Sequence, residues 1–141
     1  MDFRKTFDKI PEDFDKYRPR YCDELFEELA KRCELGPNKK VLEIGPGTGQ
    51  ATEPILKTGC DYTAIEIGEN FTAFMKEKFA NYSNFHIINA DFERHDFEKN
   101  VYDLVYSAAT IQWIPEQIAF SKTYDMLKPG GHLAMFMTRS D

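Results

Sequence analysis

Residues 40–49 read Lys-Val-Leu-Glu-Ile-Gly-Pro-Gly-Thr-Gly, a short β-rich run that empties into a loop with glycine at alternate positions. Residues 50–58 follow as a helix before Gly59, so the stretch reads as strand, glycine loop, helix. Working outward, the order repeats. Residues 61–65 form a strand, 69–80 a helix with Phe71, Phe74, Met75 and Phe79 on one face, and 85–89 a strand. Then come a strand at 101–106, a helix at 115–127 and, after the Lys128-Pro129-Gly130 turn, a last strand at 131–137. Upstream, Cys22, Leu25, Phe26, Leu29 and Cys33 recur at helical spacing over 21–34, and Gly36-Pro37 stops the pattern. Residues 1–20 scatter Phe3, Phe7, Phe14 and Tyr17 among charges and carry Pro11 and Pro19, which reads as an N-terminal arm. Strands alternating with helices imply βαβ crossovers, hence an α/β doubly wound parallel sheet of five strands with helices on both faces.

The chain has 141 residues, 42% of them hydrophobic, a size for one domain at residues 21–141 behind the arm. Lys and Arg number 18 against 24 Asp and Glu, a net charge of -6, the wrong sign for a polyphosphate partner, so no nucleic acid is expected. Three cysteines, Cys22, Cys33 and Cys60, form no CxxC pair, and a reduced cytoplasmic setting is the simpler reading. No apolar run reaches the roughly 18 residues of a membrane span, so no membrane is expected.

In doubly wound sheets, ligands sit beyond the carboxyl ends of the strands, where strand order reverses. Gly45, Gly47 and Gly49 lie there, and they remove the Cβ atoms that would keep a ligand off the backbone, while the next helix offers unpaired N–H groups. A ligand-free strand-to-helix turn would use the same glycines. Glu66 ends the second strand 21 residues after Gly45, where a carboxylate can accept both hydroxyls of a ribose. A solvated strand-end glutamate is the alternative. A dinucleotide fingerprint needs glycine where Gln50 stands, and a Walker loop needs a Gly-Lys-Ser/Thr that is absent. His86, His95 and His132 are dispersed without metal-ligand spacing, and no metal is expected.

The run Glu43-Ile44-Gly45-Pro46-Gly47-Thr48-Gly49 resembles the first motif of the class I S-adenosylmethionine-dependent methyltransferases, and the similarity extends over residues 40–136 with further motifs in the family's order. The resemblance implies a Rossmann-like sheet of order 3-2-1-4-5. It implies that Glu43 orients the loop and the methionine amino group, and that Glu66, with Ile67 beside it, holds the ribose. Asp91-Phe92 matches the pair that recognises adenine through a carboxylate and a backbone N–H. Ser107 ends the strand that borders the methyl group, and Lys128-Pro129-Gly130-Gly131-His132-Leu133 matches the turn into the fifth strand. Gln112-Trp113 is similar to the small-molecule O-methyltransferases of the trans-aconitate and malonyl-carrier-protein type, although Ala108 stands where many of those have Asn. The opening segment resembles theirs too, which places Tyr17 and Arg18 near cofactor and substrate.

The Asp/Asn-Pro-Pro-Tyr/Phe signature of nucleobase methylation is absent after the fourth strand. The resemblance therefore implies methyl transfer to a small-molecule oxygen such as a carboxylate, which needs no general base, with S-adenosyl-L-homocysteine as the second product and Arg18 steering an anionic substrate. The alternative is a cofactor-binding module or partner subunit without catalysis. The family normally continues past its fifth strand with a helix and strands six and seven, missing here. Either a shortened chain or a homodimer burying the fifth-strand edge is expected.

Overall fold

A computed structural model describes residues 23–108 and 116–136. The arm at 1–20, and with it Tyr17 and Arg18, lies outside the described residues, as do Gln112 and Trp113. The elements run α1 (Asp23–Arg32), β1 (Lys40–Ile44), α2 (Glu53–Leu56), β2 (Asp61–Glu66), α3 (Glu69–Lys78), β3 (Phe85–Asn89), β4 (Tyr102–Ala108), α4 (Glu116–Met126) and β5 (Leu127–Phe136). The five strands form one sheet of order β3-β2-β1-β4-β5, every neighbouring pair parallel. The expected architecture is therefore present, with β1 at the centre and its reversal point between β1 and β4.

Alternation along the central strands divides the core. Val41, Tyr62, Ala64, Leu104 and Tyr106 pack on one side with Phe26 of α1, Ile55 and Leu56 of α2, and Met75 and Phe79 around α3. Leu42, Ile44, Ile65 and Val105 face the other side, against Phe92 and against Ala119 and Met126 of α4. Both faces being covered explains why the central strands are nearly continuous in apolar residues. Glu43 breaks that run and is nonetheless only 1% exposed.

Three expectations need correction. The helix predicted over 50–58 shrinks to the four residues of α2, because turns persist through Thr52. Pro54 sits in the first helical turn, where its missing N–H costs no intrahelical bond. Leu25, read as part of the buried face of α1, is exposed, and Phe74 is half-buried on α3 while Thr72 goes under. The fifth strand begins at Leu127 rather than Gly131: Tyr102 pairs with Leu127 and Leu104 with His132, so residues 128–131 bulge out opposite Asp103. The bulge is secured by charge, since Asp103 Oδ2 accepts from the Lys40 backbone N–H at 2.8 Å and pairs with Lys128 Nζ at 3.4 Å. Among the described residues, β5 pairs only with β4.

Candidate functional site

The loop between β1 and α2 is held in a conformation that side chains resist. Gly45, Gly47 and Gly49 all have positive φ, at 63°, 60° and 85°, so each of the three alternating glycines is required by the backbone itself. Gly49 has a further reason. A Cβ built there would lie 2.7 Å from Met75 Sδ and 2.7 Å from Phe79 Cε2, so this glycine admits α3 to the loop rather than a ligand. On the same side Lys78 Nζ donates to the Thr48 carbonyl at 2.7 Å while lying 5.6 Å from the Phe79 ring centroid.

Glu66, 6% exposed at the end of β2, accepts the Gly47 N–H on Oε1 at 3.0 Å and the Gly68 N–H on Oε2 at 2.8 Å. One carboxylate thereby joins the loops that follow β1 and β2. Asn89, directly paired with Glu66 in the sheet, donates from Nδ2 to the carbonyls of Glu66 at 3.0 Å and Ile67 at 3.3 Å, fixing the backbone at that corner.

Beyond β3, Asp91 Oδ1 accepts the Glu93 N–H at 3.0 Å, which turns the chain so that the Asp91 carbonyl takes the N–H groups of Arg94 and His95. Phe92 is 4% exposed and packs on Phe97, so its side chain is core and only its backbone faces the task expected of it. Lys122 of α4 braces this turn, donating to the carbonyls of Glu93 at 3.1 Å and His95 at 2.5 Å with its charge over the rings of Phe92 and Phe97. Burial pushes the Lys122 ammonium down, against the pull of Asp96, Asp91 and Glu93.

Two expected site residues have their polar atoms engaged inside the sheet. Ser107, 1% exposed, donates its hydroxyl to the Ile44 carbonyl at 2.9 Å, clamping the end of β4 to the end of β1. Glu43 Oε1 accepts the Thr52 hydroxyl and the Tyr62 hydroxyl, each at 2.5 Å. Tyr62 is bonded in turn to Tyr106, whose hydroxyl donates to the Ala51 carbonyl at 2.7 Å. Thr52 Oγ1 is committed to Glu43 and caps no N–H of α2. Burial pushes the Glu43 carboxyl up to about 7, although the hydroxyls of Thr52, Tyr62 and Tyr106 oppose the shift.

The structure thus brings Glu43, the three glycines, Glu66, Ile67, Asp91, Phe92 and Ser107 to the carboxyl end of one parallel sheet. Lys78, Asn89, Lys122, Tyr62 and Tyr106 belong with them and carry no motif, because only the strand register and helix docking place them there. Glycine substitutions separate strain from crowding. Gly49→Ala is expected to destabilise by more than about 2 kcal/mol, since it adds a clash to left-handed backbone. Gly130, at φ 83° with nothing within 4 Å of a built Cβ, has the strain alone, and Gly130→Ala should lose about 1–2 kcal/mol. Urea denaturation of the two variants checks the difference, and equal losses would refute the packing role of Gly49.

Comparison with known proteins agrees with this geometry. A family described as a methyltransferase domain matches residues 42–135. The malonyl-[acyl-carrier protein] O-methyltransferase of Marinomonas sp. is 31% identical over 140 residues, 96% of this chain and 51% of that protein. The ribosomal RNA small subunit methyltransferase A of Hahella chejuensis is 42% identical over 73 residues, 52% of this chain and 27% of that protein. Among solved structures, the CurJ carbon methyltransferase superposes with a TM-score of 0.74 at 28% identity, covering 84% of this chain and 35% of that one. The chain spans about half the length of the malonyl-carrier-protein relatives it matches. On the matched family, the five-stranded order and the left-handed glycine loop together, the chain belongs to the class I S-adenosylmethionine-dependent methyltransferases.

Proposed function

We propose that this protein binds S-adenosylmethionine over residues 45–49 and transfers its methyl group to a small-molecule oxygen, a carboxylate being the best fit. The observation that carries the cofactor reading is the Glu66 carboxylate, tied at once to Gly47 and Gly68 and so poised between the loops after β1 and β2. Its two oxygens suit the ribose hydroxyls, with Ile67 alongside. Asp91 accepts from the exocyclic amine of adenine, the Phe92 N–H reaches a ring nitrogen, and Glu43 and Ser107 keep the loop and the end of β4 in place. When bound, S-adenosylmethionine supplies a methyl group already made electrophilic by its sulfonium. The chain's work is then to align the acceptor and exclude water, for which proximity is the principal device. Tyr17, Arg18, Gln112 and Trp113 are assigned to the acceptor side, Arg18 steering an anion.

Calorimetric titration with S-adenosylmethionine and S-adenosylhomocysteine is expected to show binding of both, with Glu66→Ala and Asp91→Ala each weakening it about tenfold or more. Absence of binding, or indifference to both substitutions, would refute the cofactor site.

The acceptor needs its own test. The malonyl-[acyl-carrier protein] O-methyltransferase relative supports an oxygen acceptor on a malonyl group, whereas the ribosomal RNA methyltransferase relative supports RNA, and the net charge of -6 weighs toward the first. Transfer of labelled methyl groups to a panel of small carboxylic acids and malonyl thioesters, with ribosomal RNA in parallel, should label the acids, and Arg18→Ala should raise KM for them. Labelling of RNA alone would overturn the carboxylate reading. Labelling of nothing, with cofactor bound, would favour a non-catalytic module or partner subunit. Free, buried thiols at Cys33 and Cys60 support a reducing, cytoplasmic setting.

The outer edge of β5, unpaired among the described residues, is the surface a homodimer would cover. Light scattering should then give about twice the 16.4 kDa chain mass, and a monomer would refute the dimer.

A further inference from the structure

The chain of oxygens beneath the cofactor loop has a proton shortage. Four contacts run in series: Thr52 hydroxyl to Glu43 Oε1, Glu43 Oε1 to Tyr62 hydroxyl, Tyr62 to Tyr106, and Tyr106 to the Ala51 carbonyl. Each needs one hydrogen between two oxygens. With Glu43 ionised, Thr52, Tyr62 and Tyr106 provide three hydrogens for the four contacts. The carboxylate draws those of Thr52 and Tyr62 and competes for that of Tyr106, whose single hydrogen must then serve Glu43, Tyr62 or the Ala51 carbonyl. A protonated Glu43 supplies the fourth hydrogen: it donates to Tyr62, Tyr62 to Tyr106, and Tyr106 to Ala51. No water-exposed member is present to make good the deficit, since Glu43 is 1% exposed and Thr52, Tyr62 and Tyr106 are all 0%.

We propose that Tyr62 and Tyr106 are positioning residues of the cofactor loop, forming with Glu43 a hydrogen-bond chain that is complete, and holds the Ala51 carbonyl, only when the Glu43 carboxyl carries a proton. Ala51 and Thr52 lie two and three residues beyond Gly49, and the Thr52 N–H bonds back to the Gly49 carbonyl at 3.2 Å, so whatever holds them holds the end of the loop. The groups around Glu43 leave it titratable near neutrality. Burial and then Glu66 raise it, Cys60 bears on Tyr106, and Phe26 of α1, Met75 of α3 and Phe79 just beyond α3 belong to the same apolar cluster as the two tyrosines. Burial lifts both tyrosines well above their ordinary range, so Glu43 is the member that changes state, losing its proton as pH rises through about 7. Cofactor affinity is then higher on the acid side and falls as the chain loses its fourth hydrogen. This last step rests on the reading of residues 45–49 as the cofactor loop; the chain itself does not.

The test separates the two. In the ligand-free protein, amide hydrogen exchange at Gly49, Thr52 and Leu56, corrected for intrinsic exchange, should show protection falling about fivefold between pH 6 and pH 8. Glu43→Gln, whose amide donates to Tyr62 at every pH, should abolish that fall. Tyr106→Phe should give low protection at both pH values, and if it does not fold, the comparison with Glu43→Gln decides alone. Calorimetry with S-adenosylhomocysteine should show a matching loss of affinity with pH in the wild type and a flat profile in Glu43→Gln. Parallel profiles for wild type and Glu43→Gln in both measurements would overturn the proposal. The expected exchange pattern without binding of S-adenosylhomocysteine by any variant would support the proton-dependent chain and overturn the cofactor reading.

Discussion

A carboxyl group with almost no contact with water sits on the central strand, directly below the loop that the fold offers to a ligand. Burying an ionisable side chain there is costly unless its oxygens are satisfied, and the hydroxyls of Thr52, Tyr62 and Tyr106 meet that need. Tyr62 comes from β2, Tyr106 from β4 in direct register with Glu43, and Thr52 from the turn before α2. Three adjacent strands and the loop are therefore joined by one series of hydrogen bonds through Glu43 Oε1 and the two tyrosine hydroxyls. The same demand leaves α2 without a side-chain cap, because the Thr52 hydroxyl is spent on the strand.

The rest of the corner repeats this division of labour. Side chains with the right chemistry to meet a ligand are first engaged with backbone. Glu66 gathers two N–H groups, Asp91 turns its own chain, Ser107 ties β4 to β1, and Lys122 and Lys78 each hold carbonyls of a neighbouring loop. Such bonds order the N–H and carbonyl groups before any ligand arrives, and ordering before binding removes an entropic penalty that would otherwise be met at the moment of association.

Much of this was legible in the sequence. Strand positions over 40–44 and 85–89 and the three glycines follow from local pattern, since a short β-rich run and a row of alternating glycines are chain-local signals, while the order of the five strands follows only from the resemblance to the methyltransferase family. Legibility ends where partners come from distant elements. Gly49 looks identical to Gly47 in the sequence, yet the structure packs α3 against Gly49 and ties Gly47 to Glu66. Nothing local in the sequence sets Tyr62 and Tyr106 apart from other strand aromatics, and the register between β1, β2 and β4 is what makes them partners of Glu43. The bulge at 128–131 was misplaced for a related reason: it is secured by a long-range bond network around Asp103.

Aromatic hydroxyls at these two positions have a consequence that phenylalanine would not. Phenylalanine would fill nearly the same volume and preserve the ring contacts of Tyr62 with Phe85 and of Tyr106 with Phe26. Packing alone therefore does not require the oxygens. What requires them is Glu43, whose buried carboxyl would otherwise keep only the Thr52 hydroxyl, and the Ala51 carbonyl, which would lose its side-chain donor. The two hydroxyls thus exist for the polar groups of β1 and of the loop, and the conformation of the loop is inseparable from the protonation of the strand beneath it.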